Sequence, residues 1–353
     1  MKRNYVIPFF IPHKGCPERC VFCDQERISG ASPDEGLDIE STVEKYLLTI
    51  PRYETDVEIG FFGGTFTSLP FEEQRQYLEK AEPFIREGKI GGIRISTRPD
   101  SIDDAKLLFL KGYSVKTIEL GVQSMRDRVL SAVKRGYDEK EVVLASGLVI
   151  RHGFVLGHQM MVGLPQSLRE DEYYTARKAV ELGASEARIY PTVVIRGTEL
   201  ASWWQKGEYT PLTEDAALSV CADLILYFEL NDVKVLRCGL HPSDGLTKGN
   251  ELLAGPFHEA FRQKVESRIF GKVLDMLLPD GCIDKIHINP LDEAAFFGFR
   301  GENTVKLTIR GLDVRKCVVR DLGIERGGVF VATHGDKMLL SRKMIAKSIF
   351  GNI

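Results

Sequence analysis

The chain has 353 residues, 43% hydrophobic and 27% charged, with a formal net charge of -3: an ordinary globular composition with room for one large domain and a smaller one. No apolar run is long enough to span a bilayer, no apolar signal segment opens the chain, and the charge balance does not by itself point to nucleic acid. Of the seven cysteines, Cys221, Cys238, Cys282 and Cys317 are scattered singly, which suits a reducing cytoplasm better than a disulfide framework.

From the N-terminus to about residue 200, short Ile/Val/Phe-rich runs alternate with helical patterns. Strands are expected at 5–10, 57–62, 93–97, 115–120, 154–162 and 187–194, each bounded by Gly, Pro or polar residues. Helices are expected at 39–50, 71–86, 101–111, 125–151 and 167–183, with caps at Ser101-x-x-Asp104 and Asp138-x-x-Glu141. Six such β-α units predict an α/β fold, a partial (β/α)6 barrel related to the TIM barrel. Chemistry in these folds sits at the carboxyl ends of the strands.

The unusual stretches fall there. After the first strand comes Cys16-Pro-Glu-Arg-Cys20-Val-Phe-Cys23, three thiols within eight residues. On a four-iron cluster, three cysteines cover three irons and leave the fourth open to a ligand. His13 could instead complete a Cys3His zinc site. Three buried structural cysteines are a weaker reading, because a polar Gly-Pro loop is a poor place to bury them.

The second strand runs into Gly63-Gly64-Thr65, where the absence of Cβ atoms lets a backbone edge approach a ligand; a plain tight turn is the bland alternative. The third ends at Ser96-Thr97-Arg98-Pro99, putting Thr97 and Arg98 at the rim. In the fourth, Glu119 is too polar for its apolar run without a partner, and Gln123 offers donor and acceptor to a sugar hydroxyl pair. Further on, Arg135 could grip a carboxylate bidentately. Gly163-Leu-Pro165 breaks the fifth strand, while Tyr190 and Arg196 mark the sixth.

Residues 1–205 are read as the barrel, 206–284 as a helical and strand extension, and 285–353 as a small basic α+β segment. His241, after the strand expected at 233–240, is either a satisfied loop residue or a substrate group. From Arg300 onward there are eleven Lys/Arg against five Asp/Glu, a surplus of six that leaves -9 on the rest. That asymmetry points mildly to a polyanionic partner, and a solvated surface explains it as well. Gly298-Phe-Arg300-Gly301, followed by Asn303, has the form of a KH-type clamp on an RNA backbone, though most Gly-x-x-Gly segments are turns.

Taken together, Cys16/Cys20/Cys23, Phe62-Gly-Gly-Thr-Phe-Thr67, Ser96-Thr-Arg-Pro-Asp100, Glu119-Leu-Gly-Val-Gln-Ser124, Val133-Lys-Arg-Gly136, Gly163-Leu-Pro165 and Ile189-Tyr-Pro-Thr192 with Arg196-Gly-Thr-Glu-Leu200 resemble the radical S-adenosylmethionine (SAM) enzymes. Within them the match is to the radical SAM half of the elongator catalytic subunit and its short bacterial relatives, over roughly residues 1–200. The resemblance implies a [4Fe-4S] cluster on Cys16, Cys20 and Cys23, with SAM on its free iron. It implies that Gly63, Gly64, Thr65, Gln123 and Arg135 hold SAM, with Phe22, Thr97 and Glu119 also at the cofactor.

It further implies an electron donor such as a ferredoxin or flavodoxin. An RNA such as tRNA would be the substrate, with Tyr190, Arg196, His241 and Arg300 as the candidate contacts. Two departures matter. No pyrophosphate loop of the acetyltransferase type occurs among these residues, so carboxymethylation of uridine does not carry over, and Gln159 stands where wider relatives have an acid. The rival readings are a radical SAM oxidase of a small metabolite, like the oxygen-independent coproporphyrinogen oxidases, and a non-catalytic RNA- or zinc-binding protein.

Overall fold

The computed structural model describes all residues except 1–2, 31–36, 52–54, 248–250, 278–282, 334–336 and 352–353. Its contacts divide the chain into two compact units, residues 1–211 with 241–256, and residues 212–240 with 257–353. Cys282 and His334 fall outside the described residues.

In the first unit the elements run β1 (Arg3–Phe10), α1 (Gln25–Ser29), α2 (Ile39–Thr49), β2 (Thr55–Phe62), α3 (Phe71–Arg86), β3 (Gly92–Thr97), α4 (Asp104–Lys111) and β4 (Val115–Gln123). They continue with α5 (Asp127–Ala132), α6 (Glu139–Arg151), β5 (Val155–Val162), α7 (Arg169–Glu181), β6 (Glu186–Pro191), β7 (Val194–Ile195) and α8 (Glu199–Gln205). Strands β1 to β6 pair in sequence order, all parallel, as the alternating pattern predicts. Their carboxyl ends meet in register, with Phe10 opposite Phe62, Thr97 opposite Leu120 and Val162 opposite Pro191.

The sheet is curled. Arg94 of β3 makes an ion pair with Glu186 of β6 at 3.1 Å, although three strand spacings would separate them by about 14 Å in a flat sheet. On the helix side, His158 of β5 meets the Ser146 hydroxyl of α6 at 2.9 Å, and burial lowers its pKa to about 4. Side chains alternate along a strand, so Gly157 and Gln159 face the concave interior.

The structure corrects two helix expectations. The helix predicted over 125–151 is broken between Ala132 and Glu139, because Lys134 (φ 56°) and Gly136 (φ 75°) take the left-handed conformation. The Asp138/Glu141 capping box then starts a separate helix. The start expected at Ser101 is a 3-10 turn; Asp103 caps α4 by accepting from Lys106 N.

The second unit pairs two long helices, Glu214–Leu230 and Phe261–Leu277, with the final helix Arg342–Phe350. Half-buried Arg342 ties them together through Glu229 and Glu266. A four-stranded mixed sheet runs in the order Val318–Arg320, Ile283–Ile288, Val329–Thr333, Lys337–Leu340, with its last two strands antiparallel.

Candidate active site

The cysteine loop is clamped at both ends. Cys16 N–H donates to the His13 carbonyl (3.1 Å), Val21 N–H to Val133 (3.3 Å) and Leu200 N–H to Val21 (2.8 Å). Phe22 anchors it, packing with Trp203 against an apolar cluster of Val21, Val129, Val133 and Leu164. Nothing in the sequence singles out Gln25, yet its Oε1 accepts from both His13 N–H and Gly64 N–H at 2.6 Å. The His13 ring in turn accepts from Gln25 N–H at its Nε2 (2.9 Å), so His13 braces the loop with a nitrogen that a zinc ligand would need.

The Gly-Gly-Thr edge approaches this loop closely. Gly64 has φ 59°, and a Cβ there would strike the Lys14 and Ile11 carbonyls; Thr65 N–H donates to Lys14 O at 2.7 Å. Gly63 (φ 77°) is roomier, its nearest neighbour being Gln25 Oε1 at 3.4 Å. Buried Thr65 places its hydroxyl 3.4 Å from the Cys16 sulfur.

The three thiols are free. Burial pushes Cys16 and Cys23 up, and the neighbouring thiols push further in the same direction. Among the described residues no three His, Cys, Asp or Glu side chains form a group that could hold a metal ion. A tetrahedral zinc with bonds of about 2.3 Å would need its sulfurs within about 3.8 Å of one another. A cluster puts each thiolate on a different iron and leaves one iron open, a donor set that three thiols from one loop supply.

Two buried guanidiniums flank the thiols. Arg135 donates from Nη1 to the Cys20 sulfur (3.1 Å), from Nη2 to Gly121 O (2.7 Å) and from Nε to the Tyr137 hydroxyl (2.8 Å). The broken helix makes this possible, since the left-handed turn aims Arg135 inward. Tyr137 donates to Gly121 O at 2.6 Å, and burial pushes its phenol up to about 12. Arg98 grips Asp100 with Nε (2.9 Å) and Nη2 (2.7 Å) and contacts the Arg135 carbonyl. Its Nη1 is buried without a hydrogen-bond partner.

Along the concave face, Glu119 lies in a buried ion network. Arg94 donates to it at 2.6 Å and Arg188 at 2.5 and 3.0 Å, while Arg94 also holds Glu58 at 2.9 and 2.5 Å. Burial raises the Glu119 pKa, but Arg188 and Arg94 outweigh it and hold the carboxyl below its ordinary value. The partner that the sequence demanded for Glu119 is thus two arginines from β3 and β6, which no local pattern reveals. Nearer the rim, Gln123 (φ 64°) sits at a bulge and exchanges amide hydrogen bonds with Gln159 at 2.9 and 2.8 Å. The Thr97 hydroxyl meets that of Thr67 at 2.6 Å.

Tyr190 is half-buried opposite Met161 in the β5–β6 pair and hydrogen-bonds Arg188, which joins it to the Glu119 network, while Arg196 is exposed, its N–H donating to Glu251 O at 2.8 Å. His241 is exposed. In the second unit Arg300 is exposed with its guanidinium 5.5 Å from the Phe299 ring, between two short helices. Asn303, read as part of an RNA clamp, is instead buried and donates to Ser267 O (2.9 Å), which braces the turn.

Residues 10–176 match the radical SAM superfamily, and residues 184–270 match its C-terminal domain. An uncharacterized protein of Methanocaldococcus jannaschii is 28% identical over 60% of this chain and 68% of its own length. The tRNA uridine(34) acetyltransferase of Dehalococcoides mccartyi is 26% identical over 59% of this chain and 53% of its length. Elongator complex protein 3 of Schizosaccharomyces pombe is 31% identical over 48% of this chain and 35% of its length. The chain thus spans about half or less of these tRNA-modifying and elongator relatives. An archaeal Methanocaldococcus infernus Elp3 structure with an N-terminal deletion has the same fold, at a TM-score of 0.60 and 19% identity over 94% of this chain and 74% of that one.

Proposed function

The chain belongs to the radical SAM superfamily and is a SAM-dependent radical enzyme, and from that premise we propose that Cys16, Cys20 and Cys23 hold a [4Fe-4S] cluster and that the substrate is a tRNA. A cluster held by these three cysteines would supply the electron for reductive cleavage of SAM and so the radical chemistry that acts on the substrate. The observation that carries this reading is the meeting of three free thiols with the Gly-Gly-Thr edge and two buried guanidiniums at the carboxyl ends of a curled parallel sheet.

The chain's own residues then have separable tasks. Gly63, Gly64 and Thr65 present backbone groups to the methionyl end of SAM, and the Gln123–Gln159 amides offer donors and acceptors to its ribose. Three of the five Arg135 N–H donors are engaged, leaving two that can reach the SAM carboxylate. The apolar packing around Phe22 and Trp203 excludes water from the loop. A ferredoxin- or flavodoxin-like donor in the cytoplasm would deliver the electron.

RNA as substrate is supported by the tRNA-modifying relatives and the basic C-terminal stretch. Anaerobic reconstitution tests the chemistry: about four irons per chain and SAM cleavage to 5′-deoxyadenosine are expected, both lost together in Cys20→Ala. One zinc and no iron would overturn it. Comparing modified nucleosides in RNA from cells with and without the protein tests the substrate. An unchanged nucleoside profile would favour a small metabolite instead.

A further inference from the structure

Arg135 is an unusual charge. The residue is 6% exposed, and its side-chain hydrogen-bond partners are a phenol, a carbonyl and a sulfur, with no carboxylate among them. Buried guanidiniums elsewhere in the first unit are matched: Arg94 has Glu58 and Glu119, Arg188 has Glu119, and Arg98 has Asp100. Taking a cation out of water without a counter-ion is costly, so an anion is expected at such a position. Apart from the carboxylate of a bound SAM, the neighbours able to supply one are the thiols. Arg135 touches Cys20 directly, and its field acts on Cys16 and Cys23 as well. Arg98 adds a second positive charge that acts on Cys16 and carries a buried Nη1 with no hydrogen-bond partner. Both guanidiniums stand against the Tyr137 ring, at 4.9 and 5.3 Å.

We propose that Arg135 is a positioning residue that balances the charge of the cluster bound by Cys16, Cys20 and Cys23. Held by Gly121 and Tyr137, it donates to the Cys20 sulfur and raises the cluster's reduction potential. The inference rests on the cluster reading above. Reduction adds one electron from a low-potential donor and makes the thiolate–cluster unit more negative by one charge. No bond to Arg135 forms or breaks, and no proton leaves it. A fixed positive charge and an N–H donor at a ligating sulfur favour the reduced form. This placement also explains why the chain breaks its helix at 133–138, since a continuous helix would not turn residue 135 into the site.

The test is a redox titration of the anaerobically reconstituted full chain, followed by the electron-paramagnetic signal of the reduced cluster, with iron measured per chain. Arg135→Gln keeps an N–H donor and removes the charge. It should disfavour reduction at least tenfold, which is a fall of about 59 mV for one electron. Arg135→Lys keeps the charge but loses the planar fork, and should fall less. Midpoints unchanged or raised in variants that load iron like the wild type would overturn the proposal. If neither variant takes up iron, Tyr137→Phe carries the test, because it frees the guanidinium without removing it. A fall there supports the proposal, and an unchanged midpoint overturns it. Failure of the wild type to take up iron would instead sink the cluster reading.

Discussion

Gly64 and Gly63 are adjacent, both have positive φ, and the structure asks different things of them. A Cβ on Gly64 would run into two carbonyls of the cysteine loop, whereas one on Gly63 meets nothing nearer than the Gln25 amide oxygen at 3.4 Å. Gly63→Ala should therefore cost about 1 kcal/mol of left-handed strain, and Gly64→Ala roughly 3 kcal/mol or more as the loops are forced apart. Urea unfolding of the two variants checks this, and equal losses would refute the close packing. Glu172 gives a pH signature. Buried behind the end of β5, it accepts from Gly163 N–H at 2.7 Å, and burial pushes its carboxyl up to about 7. A carboxyl whose folded pKa exceeds its unfolded value of about 4.3 binds protons more tightly when folded, so folding weakens as pH rises between the two values and levels off above the folded one. Glu172→Gln should thus gain up to about 3 kcal/mol over wild type between pH 4.5 and 7.5. A flat difference across that range would contradict it. At this scale the cysteines and the paired glycines were legible, because thiol spacing and Gly-Gly after a strand are rare. Gln25 was not, since an amide in a polar loop carries no pattern.

The segment between α5 and α6 shows how element-level signals compete. Apolar periodicity continues across residues 125–151 and argues for one helix, yet the Asp138/Glu141 cap lies in the middle of that span. The cap was the better guide, because a capping side chain needs a free helix end to serve. Lys134 and Gly136 then supply the left-handed turn that delivers Arg135 to Cys20. Gly136 has little slack, with a Cβ there lying 3.1 Å from the Glu18 carboxylate and 3.5 Å from the Arg98 guanidinium. Gly136→Ala should lower stability by about 1–3 kcal/mol and reduce the iron retained after reconstitution. Normal iron content and an unchanged melting temperature would show that the turn is not needed at the site. The strands were easier to read, as buried parallel strands are short apolar runs with sharp ends. How the sheet curls was not readable, because it depends on Arg94 and Glu186 meeting across the concave face, and their sequence separation hides the pair.

For the whole molecule, the sequence offers a basic C-terminal stretch, and the structure shows how much of it is already answered. Arg342 pairs with Glu229 and Glu266, and Lys306, Arg320, Arg326 and Lys343 pair with Asp275, Glu293, Asp292 and Asp232. A count of charges along the chain cannot see such pairs, which is why the surplus of six overstates the field that a polyanion would meet. Surface pairs are nonetheless weak, and a phosphate can displace the carboxylate from an exposed lysine. Arg300 differs, being exposed beside an aromatic ring on a turn that buried Asn303 holds rigid. If RNA is the substrate, tRNA binding should weaken linearly in log Kd against log salt, and Arg300→Glu should cut that slope by about one. Lys306→Glu should change it less, since Asp275 already offsets that charge in the free protein. Filter binding between 50 and 200 mM salt separates the cases. A steep slope indifferent to Arg300 would move the RNA elsewhere on the protein, and no binding at the lowest salt would remove the reason for expecting an RNA substrate at all.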